Sequence, residues 1–122
     1  MTYSQLYDII ITENFKEAIN MTNFRKQYTD IKTRYAEIAL EEGAIQTSEQ
    51  LIILFQLGNQ LEAFYEDARK ISQICYKPQE YRTDSNGDHI PFVAIPFREE
   101  VTTAQRINEA GYKFTVIKDT RC

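Results

Sequence analysis

A chain of 122 residues with 43% hydrophobic and 26% charged side chains has the composition and length of one globular domain, which excludes a disordered or fibrous chain. No apolar run reaches the roughly 18 residues that would span a membrane, and the N-terminus lacks the basic-then-apolar pattern of a secretory signal, so the expectation is a cytoplasmic protein with no membrane partner. The net charge of -4 is uneven, with 7 basic and 11 acidic side chains in residues 1–76 against 7 of each in 77–122, and an acidic surface argues against duplex nucleic acid as a partner.

Taken in order, Tyr3, Leu6, Tyr7 and Ile10, then Ile11, Phe15, Ala18 and Ile19, have the spacing of a first helix capped by Thr2. Thr22 and Asn23 offer a second cap. Phe24, Tyr28, Ile31, Tyr35 and Ile38 then repeat at four and three, and Gly43 stands where a left-handed residue closes a helix. Thr47, three residues before Gln50, reads as a capping box opening a helix that runs to Tyr76. Its seam is Leu54, Leu57, Leu61, Phe64, Ala68, Ile71 and Cys75, and Cys75 serves there as a small hydrophobe. Pro78 ends the run. At about 1.5 Å per residue such a helix is roughly 43 Å long, whereas a compact chain of this size has a radius of gyration of about 14 Å. The two seams would pair as a long antiparallel helical hairpin, and the overhang would be covered by a second copy, a homo-oligomer.

Past Pro78 the pattern changes. Segments 80–84 and 89–95 flank Ser85-Asn86-Gly87-Asp88, a strong hairpin signal. Pro91 and Pro96 cannot donate to a ladder, which predicts an irregular or edge strand. Val101, Ala104, Ile107 and Ala110 make a short helix closed by Gly111, and 112–118 reads as a last strand. The fold class expected is α+β in a single domain over 1–122, with a helical part (1–76) and a ββαβ part (77–122).

No constellation of catalytic residues stands out. The lone histidine, His89, has Asp84 and Asp88 nearby but no nucleophile in view. Glu37 and Glu41 on one helix, with Glu62 and Glu66 on the next, are a weak magnesium alternative. Paired carboxylates hold that ion in all-α nucleotide pyrophosphatases of the MazG type, but the spacing departs from that pattern and the hairpin register sets the clusters about 13 Å apart. The tail gathers Tyr81, Arg82, His89, Phe92, Phe97, Arg98, Arg106 and Arg121, rings for stacking and guanidinium groups for phosphate, a set suited to a nucleotide-like ligand. Eight tyrosines and no tryptophan suit a protein interface.

The leading expectation is therefore a small non-enzymatic protein, without cofactor, that self-associates and occupies the surface of a protein partner as an inhibitor or adaptor, in the style of a phage or mobile-element accessory. The alternatives are sequestration of a nucleotide or anionic small molecule by the tail residues, and a magnesium-dependent phosphohydrolase.

Overall fold

In the computed structural model, which describes residues 24–83 and 87–118, the stretch from Thr47 to Tyr76 is not one helix. It divides into a 3₁₀ turn at Ser48–Gln50, strand β1 at Leu51–Leu57, strand β2 at Gln60–Phe64 and a helix at Tyr65–Cys75. The cap at Thr47 exists, since its amide donates to Gln50 Oε1 at 3.0 Å, but it closes three residues of 3₁₀ helix. Leu51 to Phe55 is buried without a break, the pattern of a strand covered on both faces. Gly58 and Asn59 then make a two-residue turn. Gly58 has φ +62°, the freedom that a glycine at the first turn position supplies, and Leu57 pairs with Gln60 across it.

The long antiparallel helical hairpin is thus overturned, and with it the argument from helix length for a second copy. The first described helix, α1, spans Phe24–Glu41. Its buried Phe24, Tyr28, Ile31, Tyr35 and Ala36 pack on the sheet rather than on another helix, in one cluster with Leu51, Ile53, Phe55, Phe64 and Ile117. The turn after it closes on Gly43, with Ala44 donating to the Ala39 carbonyl at 2.9 Å.

After the helix at Tyr65–Cys75, here α2, come β3 at Glu80–Thr83, β4 at His89–Pro96, α3 at Glu100–Glu109 and β5 at Lys113–Lys118. The strand order is β3-β4-β2-β1-β5. β5 runs parallel to β1, and the other pairings are antiparallel. The connection from β2 through α2 to β3 steps over β4, and that from β4 through α3 to β5 steps over β2 and β1. β2 and β4 point in opposite directions and their crossovers travel to opposite edges, so one right-handed sense places both helices on the same face. Ala68, Ile71, Cys75 and Ile107 accordingly form the second cluster with Ile52, Leu54, Leu61, Val93 and Ile95. Each fully buried Ile, Leu or Phe stabilises by about 1.5–3 kcal/mol. The result is a three-layer mixed-sheet domain with α1 on one face and α2 and α3 on the other.

β4 also corrects the edge-strand expectation, because it lies between β3 and β2. Pro91 falls beyond the β2 ladder, which ends at Phe64↔Phe92, and Pro96 is the last residue of its strand, so each ring sits where a missing donor costs little. The helix expected within residues 2–19 lies outside the described residues, as do Arg121 and Cys122.

Candidate functional site

The two ends of β1 differ in chemistry. Beside its start, α1 and the first turns of α2 enclose a groove of about 510 Å³ lined by Arg25, Lys32, Glu37, Glu66, Arg69 and Lys70 among others. Four of these six charges have partners, Lys32 among them with Asp67. Arg25 pairs with Glu66 at 3.0 Å, and Lys70 donates to the Glu49 carbonyl at 2.7 Å. Partial burial, the largest single influence, pushes Glu66 up, but the hydrogen bond from Arg25, a backbone hydrogen bond and the charges of Arg25 and Lys32 together outweigh it and leave the carboxyl below its ordinary value. Behind the lining residues Tyr28 and Lys32, Asp67, fully buried, accepts from Lys32 Nζ at 2.5 Å, from the Ile53 amide at 3.1 Å and from the Tyr28 hydroxyl. Burial and the neighbouring carboxylate raise the Tyr28 hydroxyl well above 10.0. Burial lowers Lys32 against the pull of Asp67. This cluster ties α1, β1 and α2 together.

The other end of β1 is open. The Gly58-Asn59 turn, exposed Gln60 and the 3₁₀ turn Phe97–Glu99 meet there, with the Phe97 amide donating to the Asn59 carbonyl at 2.8 Å. Phe97 is 38% exposed and Val101 in the first turn of α3 is also exposed. Arg98 is exposed and makes no ion pair among the described residues. Lys118 closes β5 opposite Gln56 at the same end. Glu99 stands beside Arg98, but its hydrogen bond from Lys77, in a 2.8 Å ion pair, holds its carboxyl below the usual range.

Between the ends, on the α1 face, lies a buried ion pair. Glu62, 3% exposed in the middle of β2, accepts from Arg82 Nη1 at 2.5 Å and Nη2 at 3.0 Å. The guanidinium lies 3.9 Å from the centroid of the Phe92 ring. Arg82, paired with Ile90, reaches across β4 over the Phe92 ring to Glu62, whose own partner on β4 is the small Ala94.

The tail residues expected to share one ligand that lie among the described residues fall in four places. Tyr81 and His89 stack edge to face at 6.0 Å near the free end of the β3–β4 hairpin, and Arg82 with Phe92 turns to the α1 face. Phe97 and Arg98 are at the β1–β2 turn. Arg106 lies on α3 with its guanidinium 5.3 Å from the Tyr76 ring. Of the weak metal set, Glu62 and Glu66 are taken by Arg82 and Arg25, while Glu37 is exposed on α1 and Glu41 ends that helix. No group of three or more potential metal ligands gathers among the described residues. Asn59 and Gln60 were missed because their turn was read as helix interior. The Gly-Asn pair between two apolar runs was the signal that could have found them.

Residues 43–121 match the family model of MutS domain I. This chain belongs to that family. It is 33% identical over 97 residues to the DNA mismatch repair protein MutS of Petrotoga mobilis, covering 80% of this chain and 10% of the relative. The MutS of Thermotoga neapolitana is 31% identical over 98 residues, with the same two coverages, and that of Bacillus velezensis 27% over 93 residues, 76% of this chain and 10% of the relative. The chain thus spans about a tenth of the length of these curated relatives.

Membership of the MutS domain I family overturns the expected inhibitor or adaptor, the nucleotide-sequestering alternative, the phosphohydrolase and the phage accessory style. The exclusion of duplex nucleic acid falls with them, since the relatives are named for DNA mismatch repair. It failed because a net charge sums the whole surface, while Glu62, Glu66, Asp67 and Glu99 are each matched locally by Arg82, Arg25, Lys32 and Lys77. Among the described residues no helix is long and apolar enough to cross a membrane.

Proposed function

We propose that this chain is a duplex-DNA-contacting unit of the mismatch-repair type, and that it meets DNA with the end of the sheet where the β1–β2 turn adjoins Phe97 and Arg98. The observation that carries the reading is the hydrogen bond from the Phe97 amide to the Asn59 carbonyl at 2.8 Å, which fixes an exposed ring and an exposed guanidinium beside a turn with two exposed amide side chains. Each part has a use on DNA. An apolar ring laid against a base step favours sites that unstack easily, and a mismatched pair is such a site. The side-chain amides of Asn59 and Gln60 both donate and accept, as base edges require. Arg98 supplies a phosphate contact that sets position without reading sequence. Few cations are needed, because the contact acts through shape and deformability as well as charge. A single domain over 1–122 and a cytoplasmic setting accord with this reading.

The test is fluorescence anisotropy with a short labelled duplex, once fully matched and once with a single G·T mismatch. The wild-type chain is expected to bind the mismatched duplex more tightly. Phe97→Ala is expected to weaken binding to the mismatched duplex and narrow the preference, and Arg98→Gln to weaken both complexes alike. Wild-type binding to neither duplex, or a Phe97→Ala variant indistinguishable from wild type on both, would overturn the proposal.

A further inference from the structure

The Glu62–Arg82 pair has no ready account in stability. A buried ion pair in an apolar setting gains little over well-packed hydrophobic side chains of the same volume, and Glu62 interrupts a β2 that is otherwise apolar from Leu61 to Phe64. What the pair does achieve is to immobilise a guanidinium. One edge is held by both carboxylate oxygens and the plane by the Phe92 ring, while the Arg82 side chain remains 34% exposed. An arginine carries five N–H donors. Glu62 accepts from two, and the described residues offer the remaining three no other acceptor. Among the described residues the outer edge is thus a fork of donors, fixed in direction and partly exposed to solvent.

Its position matters as much as its rigidity. Glu62 and Gln60 project from the same face of β2, two residues apart, or about 7 Å along the strand. That is comparable to the width of a minor groove, about 6 Å. The fixed edge of Arg82 and the exposed turn are therefore within the span of one duplex surface.

We infer that Arg82 is a phosphate contact on the same duplex, set in place beforehand by Glu62 and Phe92, so that Glu62 is a positioning residue and Arg82 the residue that touches DNA. The inference rests on the DNA-contacting reading proposed above. A guanidinium edge matches a phosphate in two parallel hydrogen bonds. Holding it rigid removes the side-chain ordering that binding otherwise costs. Neutralisation by Glu62 weakens the long-range pull on DNA but leaves the directional donors in place.

The full-length chain is titrated with the matched and mismatched labelled duplexes across a range of salt concentrations, and thermal unfolding is measured in parallel. Arg82→Gln is expected to reduce the slope of log affinity against log salt by about 0.9, the value for one phosphate contact, equally on both duplexes. Because that change also strands a buried carboxylate, the double variant Glu62→Leu/Arg82→Met removes the pair together. It is expected to unfold at or above the wild-type temperature while showing the same loss of slope. Arg82→Lys keeps a cation and is expected to retain most of the slope. A double variant that folds and keeps the wild-type slope would overturn the role of Arg82, even while Phe97→Ala still damaged binding. Wild-type chain that binds neither duplex would overturn this inference and the proposed function together.

Discussion

Asp67 is the most consequential single side chain for folding, and its removal can be followed in magnitude. It is fully buried in the first turn of α2, near the positive end of the helix dipole, and it accepts from Lys32, Tyr28 and the Ile53 amide. Asp67→Ala leaves one amide and one hydroxyl donor buried without an acceptor and Lys32 without its partner. Breaking a buried pair by removing one member costs about 3–5 kcal/mol, a large part of the about 5–15 kcal/mol that stabilises a domain. At about 4 °C per kcal/mol for a chain of this size, the midpoint of thermal unfolding should fall by roughly 12–20 °C. Asp67→Asn keeps an acceptor for Tyr28 and Ile53 but turns an NH2 donor toward Lys32 Nζ, so the Lys32 hydrogen bond is lost along with the charge and the change should cost about 1.5–3 kcal/mol. Circular dichroism melts and urea titrations of both variants measure the order. An Asp67→Ala protein within about 1 kcal/mol of wild type, well under the penalty expected for a broken buried pair, would show that the cluster does not bind α1 to the sheet as described.

Three further outcomes are expected. With its hydroxyl raised in the fold, Tyr28 keeps its proton above pH 10 while the unfolded chain loses it, so its contribution is complete below about pH 10 and is lost as pH rises further. Urea titrations at stepped alkaline pH should show that decline in the wild type, and a Tyr28→Phe protein, less stable at neutral pH, should lack that component of it. Gly58→Ala places a side chain at φ +62° with nothing within 4 Å of the new methyl; the cost is conformational, about 1–2 kcal/mol, seen as a lower urea midpoint with an unchanged m-value. The Cys75 thiol, buried and pushed above its ordinary pKa mainly by that burial, should resist iodoacetamide in the native protein and react promptly in denaturant, as mass spectrometry of timed samples would show.

What could be read from the sequence divides by physical cause. The helix Phe24–Glu41 is legible because only one of its faces is buried, which yields the 3.6-residue period. The ββαβ order of the tail is legible from Asn86-Gly87 and Gly111, residues that tolerate positive φ. Residues 51–64 were not, because β1 is covered on both faces and shows no alternation, and Leu54, Leu57, Leu61 and Phe64 happen to follow helical spacing across a turn. That one misreading carried the architecture with it. The candidate site divides likewise. Phe97 and Arg98 are visible as residue types in a loop. The Glu62–Arg82 pair depends on a strand order that brings together residues 20 positions apart, which local pattern does not encode.

The parallel seating of β5 against β1 also sets a schedule for folding. The β1–β2 turn closes two residues and forms early, whereas the outer edge of β1 finds its partner only when residues 113–118 arrive from more than 50 positions away in the chain. Such long-range pairing is slow. Until it occurs, Leu51 to Leu57 presents unpaired backbone donors and acceptors along a strand with few polar side chains, the kind of edge that recruits other chains. A chain in which β5 has not yet docked therefore carries an adhesive edge on β1, which the arrival of residues 113–118 covers.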